Sequence, residues 1–318
     1  MLFEGVLMKK VLFFNFLFLA IAFITLEIFS FLLFVSVNFQ EIKDSSAVQF
    51  REDWFIFRNF KLVENDFRFR PVEYKNSEKR PIVLFGCSHT YGTNLSEKET
   101  FSHQLSNYTG RTVYNFAIPG AGTSSMLYLL QRDEFEEEVP DSEYFIYVFV
   151  ADHIRRNYTC LPNPIYNEFF AKYSLDRKNN LKRNKLSKLG YFFRSLYSYR
   201  LISNAYAQCK LNSFDTKLFE KLLQSSQNEI SQKYKDAKFI VLVIDFSDGI
   251  SQNVLSLKKE IDAFSEIEKN NNFKIIYSRD FKNGEDIMKE KYAGPDGVHP
   301  IKEFWTDIIP EFSQKAGL

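Results

Sequence analysis

Five short apolar runs, separated by segments long enough to form helices, constrain the fold of this chain most strongly. The runs cover residues 81–86, 111–116, 143–150, 238–244 and 273–277. Apolar runs of this length are typical of strands buried on both faces of a sheet. The segments between and after them predict helices at 97–108, 123–138, 215–235, 252–269 and from about 301 onward. The alternation predicts an α/β fold in which a central parallel sheet lies between two layers of helices.

The charge of the chain excludes one large class of partner. Its 41 Lys and Arg residues are balanced by 40 Asp and Glu residues, which leaves a net charge of +1. A chain without a basic excess has no overall field to attract nucleic acid. With 318 residues, 45% of them hydrophobic, the chain can form one large domain with an appendage.

The N-terminal region is almost wholly apolar from Val11 to Val37. That length spans a hydrocarbon core of roughly 30 Å. Lys9 and Lys10 precede it, so the positive-inside rule predicts a cytoplasmic N-terminus and an extracytoplasmic remainder, periplasmic or at the cell surface. Bulky Phe34 and Val35 stand where a signal peptidase needs small residues, which favours an uncleaved signal anchor.

The chain therefore divides into a cytoplasmic stub with a transmembrane anchor at 1–40, a juxtamembrane segment at 41–80, and a domain at 81–318. Residues 155–214 are rich in Lys, Arg, Asn and Tyr, and they show no clear strand pattern. We interpret them as an insertion with a helix near 186–208. A solvated lid, a glycan-binding surface and a contact with acidic lipid headgroups all fit this composition.

The three cysteines, Cys87, Cys160 and Cys209, cannot all pair with one another. Their spacing matches neither a disulfide framework nor a zinc site, so no metal is predicted. A bridge between Cys160 and Cys209 and free thiols are both compatible with the sequence.

A nucleophile is suggested at Ser88, which follows the first apolar run within Gly86-Cys87-Ser88. A serine on a tight turn between strand and helix presents its hydroxyl at the carboxyl end of a parallel sheet, where such folds place their sites. It also needs a base and a group that orients the base. Asp296 and His299, three residues apart, can supply both. The alternatives are a helix cap at Ser88, a turn aspartate, and a histidine packed beneath the last helix.

Three segments carry a resemblance to a known family. Gly86–Gly92 resembles the first block of the SGNH (GDSL-like) hydrolases, Asn115–Thr123 the second, and Asp296–Pro300 the last. The resemblance implies a flavodoxin-like SGNH hydrolase fold in the form of a three-layer α/β/α sandwich. It also implies a triad of Ser88, His299 and Asp296 that needs no metal or organic cofactor.

The family further implies an oxyanion hole, in which donors stabilise the charged oxygen of the reacting ester. The backbone N–H groups of Ser88 and Gly120 match two of its donors. The third donor is an asparagine in the family, and Asp152 stands in that place here. An ionised aspartate only accepts hydrogen bonds, so Asn157, or else a neighbouring arginine or His153, is a substitute. Asp152 paired with an arginine is the structural alternative.

Cys87 stands where the family has aspartate, and we expect it to pack as a small buried side chain. The alternative is a thiol hydrolase that pairs Cys87 with His299. His89 directly follows Ser88, and because neighbours at such a turn diverge, we expect the distant His299 to be the base.

The sequence thus predicts a membrane-anchored serine esterase that acts on an acylated glycan or lipid through an acyl-serine intermediate. The single N-terminal anchor is similar to that of accessory proteins of polysaccharide O-acetylation, so an O-acetyltransferase with the same triad is one alternative. A degenerate binding or scaffold module, marked by the altered block at Asp152, is the other. Protein partners are not indicated.

Overall fold

The computed structural model describes the residues 14–30, 32, 78–139, 141–150, 153–157, 172–184, 213–244, 264, 267, 273–281, 292, 294 and 299–318. The chain divides into two compact units. The first takes in residues 1–59, 162–164 and 185–207, and the second takes in the remainder.

In the first unit, residues 14–30 form a helix with exposed apolar side chains, among them Phe16 and Phe18 at 72% and 71% exposure. The predicted anchor at 11–37 extends beyond these described residues. Across the described parts of the chain, no helix combines the length and the apolar character that crossing a membrane requires.

The second unit is built from seven described strands and seven described helices. The strands are β1 (Ile82–Phe85), β2 (Val113–Asn115), β3 (Tyr144–Phe149), β4 (Lys172–Leu175), β5 (Leu181–Asn184), β6 (Lys238–Val243) and β7 (Lys274–Tyr277). The helices are α1 (Ser88–Tyr91), α2 (Phe101–Thr109), α3 (Thr123–Leu130), α4 (Asp133–Glu138), α5 (His153–Arg156), α6 (Ser213–Lys233) and α7 (Lys302–Ala316). Short 3₁₀ helices cover Glu97–Glu99 and Ser278–Asp280.

Five strands form one sheet in the order β2-β1-β3-β6-β7, and every neighbouring pair is parallel. These are the five strands that the apolar runs predict. The central parallel sheet with flanking helices confirms the predicted α/β fold class. Its strand order is flavodoxin-like when the separate β4–β5 hairpin is set aside.

The two faces of the sheet pack against different layers. Leu84 lies in the core cluster shared with α2 and α7, where the rings of Phe101 and Trp305 stack with centroids 4.5 Å apart. The next residue, Phe85, points to the opposite face and packs on Phe135 of α4 at 5.8 Å. Successive strand residues alternate between faces, so both faces are covered.

The prediction of one continuous helix at 123–138 is wrong, because this segment forms the two helices α3 and α4. Arg132 between α3 and α4 has an extended backbone, with φ −92° and ψ 137°. Lys233 from α6 donates to the carbonyl of Leu130 at 2.7 Å and to that of Arg132 at 3.3 Å. This lysine satisfies carbonyls that a continuous helix would have used internally. Of the predicted helix at 252–269, only residues 264 and 267 are described, and both are helical.

The insertion contains two strands, although its sequence shows no clear strand pattern. Strands β4 and β5 form an antiparallel hairpin, and its turn is held by Asp176, whose carboxylate accepts the backbone N–H groups of Lys178 and Asn180. Tyr173 of the hairpin packs with Leu127 of α3 and with leucines of α6. The predicted helix at 186–208 lies outside the described residues.

The amino ends of four sheet strands are joined by one acidic residue, Glu143. Its carboxylate accepts a hydrogen bond of 2.8 Å from the side chain of Arg111, which lies just before β2. It also forms an ion pair of 3.4 Å with Lys238 of β6. The same arginine also donates to the carbonyl of Arg80, before β1, at 2.6 Å. Burial opposes the charge of Glu143, but these two cations hold its pKa below the usual value.

We expect Glu143→Gln to lower the free energy of unfolding by about 1–2 kcal/mol at neutral pH, because charge-assisted hydrogen bonds are lost. The folded-state pKa of Glu143 is depressed, so its contribution is present above the unfolded-state pKa of about 4.3 and disappears as the pH falls through the folded-state pKa. Urea denaturation at several pH values measures this difference. Glu134→Gln, which breaks an exposed ion pair with Arg132, is the control and should change little. A loss for Glu143→Gln that stays constant with pH would contradict the account.

Candidate active site

Ser88 begins α1 directly after the turn that ends β1. Gly86 makes this turn possible, because a Cβ atom there would lie 2.1 Å from Thr90 Oγ1 and 3.2 Å from the carbonyl oxygen of Val148. Gly92 ends the helix in the left-handed region, with φ +83°, and donates to the carbonyl of Ser88 at 3.0 Å. Ser88 is therefore fixed in a tight turn between strand and helix, as the sequence predicts.

The position of this turn in the sheet is the one that binds ligands in open α/β folds. Strand β1 lies between β2 and β3. The chain leaves β1 toward β2 on one side and later returns to β3 on the other. Such a change of direction opens a crevice at the carboxyl ends of the two strands.

Asn115 ties the loop after β2 to the Ser88 turn. Its side-chain amide donates to the carbonyl of Thr90 at 3.1 Å and to Ser102 Oγ at 3.2 Å, while its oxygen accepts from Ala117 N–H at 3.1 Å. The N–H of Ile118 also donates to the carbonyl of Gly86 at 3.1 Å. The sequence marks Asn115 only as the start of a motif, and this positioning role appears only in the structure.

The same loop carries Gly120, which has a φ of +77° that favours glycine. Among the hydrogen bonds of the described residues, none uses the backbone N–H of Ser88 or of Gly120 as donor. The loop of Gly120 is bonded to the turn of Ser88 through Ile118. Neither of these two N–H groups is therefore used by an acceptor in the described part of the chain.

His299 reaches the Ser88 turn from the loop before α7. Its ring centroid lies 5.2 Å from that of His89, with the ring planes inclined by 46°. The backbone carbonyl of His299 accepts a hydrogen bond from the N–H of Gly294 at 2.7 Å. The N–H of Ile301 donates to the backbone carbonyl of Tyr292 at 3.0 Å. The sequence does not indicate this packing of the two histidine rings. Asp296 lies outside the described residues.

The segment after β3 contributes buried polar groups. His153 is fully buried, and its Nδ1 lies 2.7 Å from the hydroxyl of Tyr147, which lies 2.9 Å from Thr123 Oγ1. Burial lowers the pKa of His153 and raises that of Tyr147, so both side chains are neutral at neutral pH. Asp152 falls outside the described part of the chain.

Asn157, at the end of this segment, is hydrogen-bonded to the start of α3. Its Oδ1 accepts the backbone N–H of Ser124 at 3.0 Å, which fixes the orientation of the amide. Its Nδ2 is buried and has no hydrogen-bond partner among the described residues. Gly122 allows the close approach, because a Cβ atom there would lie 3.1 Å from Asn157 Oδ1.

Cys87 is fully buried and belongs to the core cluster beneath the turn, in agreement with its predicted packing. Its sulfur also lies 3.5 Å from Nδ1 of His89, a contact that the sequence does not indicate. Within the described ranges, no three His, Cys, Asp or Glu side chains cluster in a way that could hold a metal ion.

Neither a protein-family model nor a curated protein matches the chain. Several solved structures are similar to it. The psychrotrophic esterase EstA from Pseudoalteromonas shares 13% identity at a TM-score of 0.45, and the match covers 75% of this chain and 97% of the esterase. A protein from Desulfitobacterium hafniense, provisionally described as lipolytic and of the G-D-S-L family, shares 10% identity at a TM-score of 0.44, covering 76% of this chain and all of the other.

A catalytic mutant of the acetylxylan esterase Axe2 from Geobacillus stearothermophilus shares 10% identity at a TM-score of 0.46, covering 77% of this chain and 97% of the esterase. At such identities and TM-scores the likeness is distant, and it assigns no role to any residue of this chain.

Proposed function

We propose that the protein is a serine ester hydrolase that uses Ser88 as nucleophile, His299 as general base and Asp296 as the group that orients the base. The observation that carries this proposal is the packing of the His299 ring on the turn that carries Ser88. The serine lies in the turn after β1 at the crevice of the sheet, and the ring of His299 packs on the next residue, His89, at 5.2 Å.

In the proposed reaction, His299 takes the hydroxyl proton of Ser88 while Oγ attacks the carbonyl carbon of the ester. The tetrahedral intermediate collapses when the C–O bond to the alcohol breaks, and His299 returns the proton to the departing oxygen. A water molecule then gives its proton to His299 and attacks the acyl-serine, which releases the acid and restores the hydroxyl. Asp296 would accept the Nδ1 proton of His299 and stabilise the imidazolium form.

We assign the stabilisation of the developing oxyanion to the backbone N–H groups of Ser88 and Gly120. Neither group has a hydrogen-bond partner among the described residues. For the third donor, Asn157 is the better candidate. Its Oδ1 is held by Ser124, so Nδ2 is the part of the amide left to donate. Asp152 can only accept when it is ionised.

Hydrolysis and transfer share the acyl-serine and differ in what attacks it. We propose hydrolysis of an acylated glycan or lipid as the main reaction, with O-acetyl transfer to a sugar hydroxyl as the alternative. The test is to incubate the full-length protein, in mild detergent, with a chromogenic acetyl ester, with and without a soluble oligosaccharide.

A hydrolase releases acetate at a rate that the sugar does not change, whereas a transferase yields acetylated sugar. Release no faster than that of the Ser88→Ala protein would contradict both reactions and leave a binding or scaffold role.

We further propose that the N-terminal segment anchors the protein in the membrane, with residues beyond 41 outside the cytoplasm. The exposed apolar side chains of the helix at 14–30 support this proposal, since such a surface is unfavourable in water. In fractionated cells the full-length protein should stay with membranes after a carbonate wash, and protease added outside should cleave beyond residue 41. A soluble protein shortened at its N-terminus would contradict the anchor.

A further inference from the structure

We propose that His89 is a positioning residue that holds the imidazole of His299 in place, and that the thiol of Cys87 in turn holds His89. This inference rests on the proposed function, because it assigns a support to the proposed base. It goes beyond the triad, since neither His89 nor Cys87 takes part in the proton transfers.

The first part of the argument is the difference in rigidity between the two histidines. His89 lies in α1, whose backbone is tied to the end of β1: Tyr91 N–H donates to the carbonyl of Cys87 at 2.9 Å, and Asn115 holds the carbonyl of Thr90. His299 lies in a loop, before α7 begins. A reactive group on a loop needs its side chain held by packing to keep a productive geometry.

The second part is the contact between the two rings. With centroids 5.2 Å apart and planes inclined by 46°, the face of one imidazole restricts the rotation of the other. His89 is 7% exposed, so its ring is itself confined by the surrounding residues. It therefore offers His299 a fixed surface rather than a mobile one.

The third part is the bond that orients His89. Cys87 is fully buried, and its sulfur lies 3.5 Å from Nδ1 of His89, within the range of a sulfur hydrogen bond. This contact fixes the rotation of the His89 ring about its Cβ–Cγ bond. The side chains of Cys87, His89 and His299 thus form a chain of contacts from the core to the proposed base.

The test measures the second-order rate at which a fluorophosphonate reacts with Ser88 in the full-length protein. His89→Ala removes the supporting ring, so we expect the rate to fall about tenfold or more. His89→Phe keeps a ring of similar size but lacks the nitrogen that contacts Cys87, and it should restore the rate to within about threefold of the wild-type value.

Cys87→Ala should also lower the rate by about threefold. In the double variant with His89→Phe, the rate should equal that of His89→Phe alone, because the contact between Cys87 and His89 is already absent. If the two substitutions acted independently, the factors by which each lowers the rate would multiply in the double variant instead. With an ester substrate, kcat should fall in parallel with the labelling rate while KM stays unchanged. Urea denaturation of each variant separates these effects from lost stability, and the Cys87 cycle remains available if His89→Ala does not fold.

The outcomes that overturn the inference are distinct from those that overturn the function. If the wild-type protein is not labelled at Ser88, the proposed function and this inference both fail. If Ser88 is labelled and His89→Ala reacts at the wild-type rate, the inference alone fails. It also fails if a folded His89→Phe protein is as slow as His299→Ala, because His89 would then act through its nitrogen.

Discussion

Ser88→Ala should lower kcat for a simple acetyl ester by about 10⁴-fold or more, because the proposed acyl intermediate forms on the Ser88 hydroxyl. His299→Ala should have an effect of similar size, since the proton of Ser88 then has no acceptor. Asp296→Asn should lower kcat by about 10³–10⁴-fold, because the imidazole then adopts the wrong tautomer. Steady-state kinetics of the purified full-length variants measure these losses.

Two variants serve as matched controls for these losses. Ser313→Ala removes a buried hydroxyl that has no hydrogen-bond partner in the described structure, and His103→Ala removes a histidine from α2. Both should keep kcat near the wild-type value. An Asp296→Asn protein with wild-type kcat would show that another group orients His299, and a fully active His299→Ala protein would remove the proposed base.

Gly86→Ala should be the most damaging small substitution in the described site. The added Cβ would lie 2.1 Å from Thr90 Oγ1 and 2.8 Å from Thr90 Cβ, so the turn or the helix must shift. We expect a loss of about 2–3 kcal/mol in the free energy of unfolding, as for other overpacked positions. Because the shift moves Ser88, kcat should also fall by about 100-fold.

The control is Gly110→Ala, where a Cβ has no atom within 4 Å although φ is +69°. It should cost about 1–2 kcal/mol through its left-handed backbone and leave kcat unchanged. Adding Thr90→Ala to Gly86→Ala removes the closest contact and should recover part of the loss. If Gly86→Ala is as stable and active as Gly110→Ala, the turn does not have the described packing.

The sheet could be predicted from the sequence because a strand buried on both faces is apolar along its whole length, and this pattern needs no knowledge of its neighbours. The hairpin could not, since Tyr173 and Leu175 alternate with polar residues and owe their burial to α3 and α6. The break between α3 and α4 depends on Lys233, which lies far along the chain. Such features arise only when distant segments meet.

The same distinction applies to the candidate site. Ser88 could be placed because glycine and a preceding apolar strand define its turn locally. The role of Asn115 could not be predicted in this way, because it depends on where the carbonyl of Thr90 lies. The packing of His89 on His299 could not be predicted, because local geometry says nothing about which loop returns to cover a turn.

The most direct test of the central claim is to treat the full-length protein with a fluorophosphonate and identify the modified residue by peptide mass spectrometry. A hydroxyl attacks phosphorus readily only when a base takes its proton and donors surround the site. We predict one adduct, on Ser88, which is lost in Ser88→Ala and formed far more slowly in His299→Ala. Labelling that survives Ser88→Ala, above all an adduct on Cys87, would contradict the assignment of Ser88 as the nucleophile.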